Sequence, residues 1–374
     1  MKHKKKTILT IAFILIILIN SIGERGIGLE ELNLPSSIGN DIVEQSKDEV
    51  MYSIPLRVYF SESKLPNQSQ VITSKASSIG ETRDTRQLIS NKDFILGLEE
   101  STIMSEQFAR FGVRPLIDIL LNNPYVNDNA KLVVCNGKAQ DILDYQTKHF
   151  DGKEEYIGLL IEHSYNYNFF PKKYTLMDFI MESSEEGKNP VVPYIDIVEN
   201  KLKITGLAIF DKTKMITKLG MEDVKILNLL RENKGKGMLT IQKNSKKYIN
   251  YYPRAKRKVK CYKEGSKYKF VINIYLKGPI VSNQLYKNLN NDPKVLRQFQ
   301  NDMEKSVEKK CNNFINKIKT TSQVDMLNLG NIAAAKYGRR TGVDWNKKIL
   351  DSEIKVNVKV KVHSEGRGDY LNKE

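Results

Sequence analysis

The chain has 374 residues, enough for two or three domains, and with 40% hydrophobic and 28% charged side chains it is neither a disordered nor a collagen-like sequence. Lys and Arg number 60 against 44 Asp and Glu, and the resulting +16 favours anionic partners. Three cysteines (Cys135, Cys261, Cys311) and four scattered histidines (His3, His149, His163, His363) show no C-x-x-C, H-E-x-x-H or H-x-H spacing, so the common zinc and dithiol-redox motifs are excluded.

The N-terminus reads as an export signal. Lys2, Lys4, Lys5 and Lys6 precede an apolar run from Ile8 to Ile19, broken only by Thr10. Twelve helical residues reach about 18 Å, short of a ~30 Å hydrocarbon core. That length suits a signal-peptide core, and Ser21-Ile22-Gly23 supplies the small-x-small pattern of a cleavage site. Residues 1–23 are therefore a signal peptide or, if uncut, a signal anchor, with the lysines inside and the body outside. This segment carries four lysines and no acid; +16 less these four leaves +12, so the body itself is basic.

Residues 24–50 are mixed and open the first domain. Met51 to Phe60 alternates as a strand, with Pro55 marking an edge or an irregularity. Residues 61–82 read as a loop or hairpin excursion, and Thr82–Leu88 and Phe94–Leu98 resume structure. Ser105–Leu121 has a helical pattern, Lys131–Cys135 is a buried-type strand, and Lys138–Leu143 starts a helix. Residues 182–193, with two prolines, a glycine and clustered charge, mark a boundary.

Beyond it, Leu202–Phe210 is a strand interrupted by Gly206, Asp211–Lys214 a turn, and Met215–Leu219 the return strand. Met221–Leu230 is an amphipathic helix with Val224, Leu227 and Leu230 on one face. Residues 238–278 are β, with Glu264-Gly265-Ser266 turning Lys258–Tyr262 back into the alternation Tyr268, Phe270, Ile272, Ile274, Leu276. Asp292-Pro293 starts a helix running to about Lys319, with Val295, Phe299, Met303, Val307, Cys311 and Phe314 in one stripe. Ile354, Val356, Val358, Val360 and Val362 alternate with lysines as a half-buried antiparallel strand.

The fold class is α+β: a three-domain body of mixed and antiparallel sheets, each covered by helices, preceded by the N-terminal signal or anchor segment. The expected divisions are an N-terminal domain over 24–190, a middle domain over 195–285, a C-terminal helix-plus-strand domain over 286–366 and a tail at 367–374. Residues 195–366 can also be read as one unit.

Catalytic motifs are missing. There is no phosphate-cradling glycine loop and no G-x-S-x-G elbow. Glu99-Glu100 and Glu185-Glu186 are adjacent acids, which fit a solvated surface better than a glycosidase pair. His149 and His163 flank an acidic loop (Asp151, Glu154, Glu155), where a plain surface role is simplest. Cys311 lies on the apolar helix stripe and Cys135 follows Leu-Val-Val; Trp345 fits a core better than an interface anchor, and Cys261, in a strand among lysines, fits a structural role better than a reactive thiol. No catalytic, cofactor-binding or metal-ligating residue is assigned, and no cofactor is expected. The densest basic segment, Lys243–Lys269, interleaves Lys246, Lys247, Arg254, Lys256, Arg257, Lys258, Lys260 and Lys263 with Tyr248, Tyr251, Tyr252, Tyr262 and Tyr268. After an export signal this pattern fits a solvated face, or an anionic membrane or partner surface, better than nucleic acid.

Several stretches together resemble the Ger(x)C family, the C subunit of spore germinant receptors. They are Glu106-Gln107-Phe108-Ala109-Arg110-Phe111-Gly112 with Leu132-Val133-Val134-Cys135-Asn136-Gly137-Lys138-Ala139-Gln140-Asp141-Ile142-Leu143; Asn189-Pro190-Val191-Val192-Pro193 with the hairpin Gly206–Met215; and Gln323-Val324-Asp325-Met326-Leu327-Asn328-Leu329-Gly330 with Asp344-Trp345 and the closing strand. The likeness covers nearly the whole chain after residue 24. It implies a non-enzymatic three-domain body on the outer face of the inner spore membrane, partnering two membrane-spanning receptor subunits, one of them permease-like, in nutrient sensing. The family's lipobox cysteine is missing, since the stretch reads Asn20-Ser21-Ile22-Gly23-Glu24-Arg25. Attachment then falls to an uncleaved leader, to partner subunits or to basic contacts. The alternatives are an exported basic cell-wall or membrane-surface binding protein unrelated to germination, and a secreted hydrolase without a local motif.

Overall fold

The computed structural model describes residues 6–7, 10–16, 28, 31–46, 49–59, 69–149 and 156–363. The expected cleavage site, the acidic loop 150–155 and the tail 367–374 lie outside them. Residues 10–16 are helical, with Ile11, Phe13, Ile14, Leu15 and Ile16 exposed. Among the described residues no helix is long and apolar enough to cross a membrane.

The first body is one mixed sheet. Its strands are β1 (Leu32–Gln45), β2 (Val50–Tyr59), β3 (Ser69–Ala76), β4 (Asp93–Phe94), β5 (Ser101–Ser105), β6 (Lys131–Cys135), β7 (Val191–Val198), β8 (Lys201–Asp211) and β9 (Lys214–Gly220). Their order is β3-β2-β1-β5-β6-β7-β8-β9, with β4 beside β1. The centre, β1-β5-β6-β7, is parallel, and an antiparallel pair closes each side. Parallel neighbours need crossovers, and the helices after β5 and β6 supply them on both faces. Glu106–Phe111, Arg114–Leu121 and Leu176–Ser184 bury Phe108, Leu116, Leu120 and Phe179 against one face. Ala139–His149 and Tyr156–Ser164 bury Ile142, Leu143, Ile157 and Ile161 against the other.

β1 falls where the sequence read only as mixed. It is an inner strand with buried polar groups, each satisfied from a distant segment. The amide of Asn40 donates to Ile103 O at 3.3 Å. The Asp41 carboxylate accepts from Ala139 N at 2.7 Å and Gln140 N at 3.1 Å, capping the helix Ala139–His149 from the neighbouring sheet. Pro55 likewise sits in an inner strand, not at an edge: β2 lies between β1 and β3. Room for its ring comes from Gly39 on β1, where a Cβ would lie 2.5 Å from Pro55 Cγ and 3.1 Å from Ala139 Cβ.

Two small sheets form the second body. β10 (Leu239–Asn244), β11 (Lys247–Tyr251) and β14 (Ile280–Asn283) pair antiparallel. β12 (Arg254–Glu264), β13 (Lys267–Gly278) and β15 (Glu353–Val362) form the other, in that order. The expected turn at Gly265 is present, with φ +61°. The helix Pro293–Thr321 is capped by Asp292 and buries the expected stripe, with Phe299, Met303, Val307, Cys311 and Phe314 all inside. Two carboxylates on this helix satisfy the free edge of β15: Glu308 accepts from Val358 N at 2.8 Å and Glu304 from Val360 N at 2.9 Å.

Four expectations need correction. The stretch Ser105–Leu121 is two helices, because the chain turns at Gly112 with φ +129°. β15 runs parallel to β13, not antiparallel, because the chain returns through the long helix as a crossover. The helix Met221–Arg231 is buried nearly all round rather than amphipathic, since it packs between the two bodies. The boundary near 190–195 does not separate sheets: β7, β8 and β9 complete the first sheet, while β15, from the expected C-terminal division, shares a sheet with β12 and β13.

Replacing Gly39 with alanine should cost about 1–3 kcal/mol, because the added methyl overpacks Pro55. In the Pro55→Ala background the same substitution should cost measurably less in a urea titration. Equal costs in both backgrounds would mean that the ring is not what the glycine accommodates.

Candidate functional site: a buried hub and two exposed surfaces

Several acids singled out in the sequence are used structurally. Glu99 is buried, accepting from Gly97 N at 2.5 Å and Asn127 N at 2.7 Å, so it is a loop clasp rather than a solvated acid. Glu185 and Glu186 also depart from the expected solvated surface. Glu185 pairs with Lys188 at 2.6 Å and accepts from the Asn331 amide at 2.7 Å. Glu186 accepts from the indole Nε1 of Trp345 at 2.8 Å and from Arg340 N at 2.7 Å. Trp345 itself is buried. His163 is exposed at the end of its helix.

All three thiols are buried and none is in a disulfide. Burial pushes Cys135 well up, Cys261 up to about 11 and Cys311 up to about 12. Cys261, the thiol that lies among lysines in sequence, is therefore protonated at neutral pH: its side chain points inward from β12, and burial outweighs the nearby Lys336. Among the described residues no three of His, Cys, Asp and Glu gather as metal ligands.

The densest polar constellation is a hub around Arg231, at the last turn of the helix Met221–Arg231. Its side chain is 1% exposed. Nη2 donates to Glu182 Oε2 at 2.8 Å and to Asn189 O at 2.9 Å; Nη1 donates to Met326 O at 3.0 Å and Asn328 Oδ1 at 3.1 Å; Nε donates to Glu232 Oε1 at 3.1 Å. Lys173 joins Glu182 at 2.8 Å and Glu232 at 3.4 Å. Burial alone would raise the Glu182 carboxyl, but Arg231 and Lys173 hold it below the usual carboxylate range.

Asp325 extends the hub, accepting from Leu327 N at 2.9 Å and Gly330 N at 2.8 Å. The Asn189 amide donates to Asp325 O at 3.1 Å and to Asn346 Oδ1 at 2.7 Å. Gly187 and Gly330 meet so closely that a Cβ on Gly187 would lie 2.3 Å from the Gly330 carbonyl carbon, and Asn331 N reaches Gly187 O at 2.9 Å. Sequence reasoning assigned no role to Arg231. The available signal was its position: it follows Val224 and Leu227 on the buried stripe, where a cation demands partners.

The first exposed surface is the outer face of the β12-β13-β15 sheet. Ala255, Phe270, Ile272, Val356 and Val358 point inward, so the alternate residues point out. Register aligns Arg254 with Lys277 and Lys277 with Lys361, and Lys256 with Tyr275 and Tyr275 with Lys359. Lys258, Lys260 and Lys355 extend this face, with Tyr262 and Tyr275 exposed among them. Only two of its cations are ion-paired among the described residues: Lys269 with Glu353 at 3.1 Å and Lys359 with Glu304 at 3.3 Å. Like charges directly opposite in a sheet destabilise it, so such rows favour an anionic neighbour. The second surface is apolar: Leu88 (87% exposed), Ile89, Leu98, Leu121 and Tyr125 stand out from the first body.

Comparisons with known proteins agree with this architecture. Residues 27–197 match the family described as "Spore germination protein N-terminal domain", and residues 205–366 match "Spore germination B3/ GerAC like, C-terminal". The chain is 26% identical to the spore germination protein GerQC of Bacillus cereus over 277 residues, 72% of this chain and 76% of that protein. It is 29% identical to the putative spore germination protein YfkR of Bacillus subtilis (strain 168) over 156 residues, 39% of each. The crystal structure of the GerBC protein shares its fold, with a TM-score of 0.56 over 87% of this chain and 97% of that one, at 15% identity.

Replacing Arg231 with methionine should cost about 3–5 kcal/mol, because Glu182 and Glu232 are left buried without their cation. Glu182→Gln should also be less stable than the parent at neutral pH. Because the folded carboxyl titrates low, its contribution is present above the usual carboxylate range and fades as pH falls below it. Unfolding titrations from pH 7 to pH 3 should therefore show the gap between parent and Glu182→Gln closing; a gap independent of pH would remove the ion pair from the account.

Proposed function

The chain belongs to the Ger(x)C family of spore germination proteins, and from that premise we propose that it serves as the C subunit of a nutrient germinant receptor, acting by assembly rather than catalysis. In this reading the leader carries the body across the cytoplasmic membrane. The body then stands at the outer face of the inner spore membrane beside two membrane-spanning subunits, one of them permease-like. The two matched stretches, 27–197 and 205–366, support the receptor role. The junction between them falls within the first sheet, whose strands β8 and β9 lie largely in the second stretch, and the Arg231 hub ties residues of both stretches together.

The observation that carries the placement is the basic sheet face. Rows such as Arg254–Lys277–Lys361 set like charges side by side on an open surface, and an anionic headgroup layer relieves that repulsion. Each lysine near such a layer contributes roughly 1 kcal/mol. Without a lipobox cysteine at Asn20–Arg25, this face and the leader are the attachments that remain to the chain itself. The exposed apolar side chains Leu88, Leu98, Leu121 and Tyr125 are then offered to the membrane-spanning partners.

Two experiments test this. Co-purification from spore membranes should recover a permease-like membrane protein, and deletion of the gene should abolish the response to at least one nutrient; retention of every response in a strain lacking other receptors would overturn the receptor role. For the membrane face, the full chain carrying Lys256→Gln, Lys277→Gln, Lys359→Gln and Lys361→Gln should bind phosphatidylglycerol vesicles at least tenfold more weakly than the parent, with unchanged binding to phosphatidylcholine vesicles. If the substituted chain instead loses affinity only for anionic wall polymer, the face belongs to the wall and not to the bilayer.

A further inference from the structure

A second buried guanidinium behaves in the opposite way to Arg231. Between the helices Glu81–Gln87 and Arg114–Leu121 and the face of β1 and β2 lies a cleft of about 360 Å³. Ile54, Leu56, Leu96, Leu116 and Leu120 supply apolar walls, while Arg83, Asp84, Gln87 and Asn123 also line it. Arg86, only 6% exposed, lines it. Its Nη2 donates to Ser74 Oγ at 3.1 Å and Thr82 Oγ1 at 3.5 Å, and the Phe94 ring lies 5.4 Å from the guanidinium carbon.

No carboxylate pairs with Arg86 among the described residues, and its Nε has no hydrogen-bond partner. Burial pulls the group down to about 10, and the charged neighbour acting on it, Arg83, is itself a cation. The amide Oδ1 of Asn40, in the same cleft, also has no donor. A buried cation with neither counter-ion nor full hydrogen bonding is costly. A cleft of this volume that combines apolar walls with convergent polar groups is the usual form of a small-molecule site.

We propose that this cleft binds a small monocarboxylate with an apolar body, its carboxylate against Arg86 and its apolar part on Leu56 and Leu116. The unsatisfied Asn40 oxygen gives a further preference for a ligand that also carries a hydroxyl or amino donor. The site does not depend on the membrane face or on receptor assembly, so it stands or falls separately from them.

The probes are 3-phenylpropionate, 3-phenyllactate and the uncharged 3-phenylpropanamide, titrated into the full chain by calorimetry with the unfolding midpoint as a second readout. The carboxylates should bind at least tenfold tighter than the amide and raise the midpoint, with the hydroxyl-bearing lactate the tighter of the two. Arg86→Met should lose the preference for charge while remaining at least as stable as the parent without ligand, because an uncompensated cation has been removed. Should that variant fail to fold, Ile119→Trp leaves Arg86 in place and fills the cleft from a partly exposed lining position; it should abolish carboxylate binding. No carboxylate binding at millimolar concentration, equal binding of acid and amide, or binding that survives Ile119→Trp would each overturn the site.

Discussion

The placement of the two bodies depends on one buried guanidinium. Arginine stays charged at any pH a protein meets and carries five N–H donors in a rigid fork. Arg231 is buried and uses all five: two on the helix Leu176–Ser184 and the loop after it, two on the loop that follows the long helix, and one on Glu232. Those acceptors come from segments on either side of the expected boundary. Any shift of one body against the other would strand donors or a carboxylate in a place water cannot reach, and the cost of stranding is larger than the gain from the bonds themselves. The boundary loop is therefore a clasp. Its Glu186 holds the indole of Trp345, and its Gly187 lies directly against Gly330.

Asp41, Glu99, Glu185 and Glu186 are committed to clasps and caps, and the three thiols are held protonated by burial. The basic sheet face and the long helix are two sides of one design. The helix shields the inner face of β15 and satisfies its free edge through Glu304 and Glu308. The outer face then carries mostly lysine, arginine and tyrosine, with Val271, Asn273, Asn357, Glu264 and Glu353 among them. A sheet guarded at its edge against strand pairing can present charge broadly. The contrast between Arg231, fully partnered, and Arg86, buried beside an apolar cleft without a counter-ion, separates a group that holds the fold from one left open to a ligand.

Much of the fold was legible where burial falls on one side of an element. The stripe Phe299–Met303–Val307–Cys311–Phe314 and the alternation in β13 and β15 record such burial at their own period, so the helix, the two strands and the hairpin at Gly265 follow from local order alone. β1 and β5 left no such record. They are inner strands covered on both faces, and β1 is rich in polar residues whose partners, Ile103 and Ala139, are far away in sequence. Alternation fails there because both faces are inside.

By itself the sequence determined the class of the protein: a lysine-led apolar leader, a basic α+β body, and no local motif for catalysis or metal, since composition and short-range periodicity are properties of the chain alone. Tertiary structure decided the rest. The direction of β15, the membership of β7–β9 in the first sheet, the partners of Arg231 and the lack of a counter-ion beside Arg86 among the described residues all depend on what the fold brings together, in contacts that reach nearly a hundred positions along the chain. A buried charge is acceptable or costly only according to what the fold brings beside it, and no spacing along the chain encodes that.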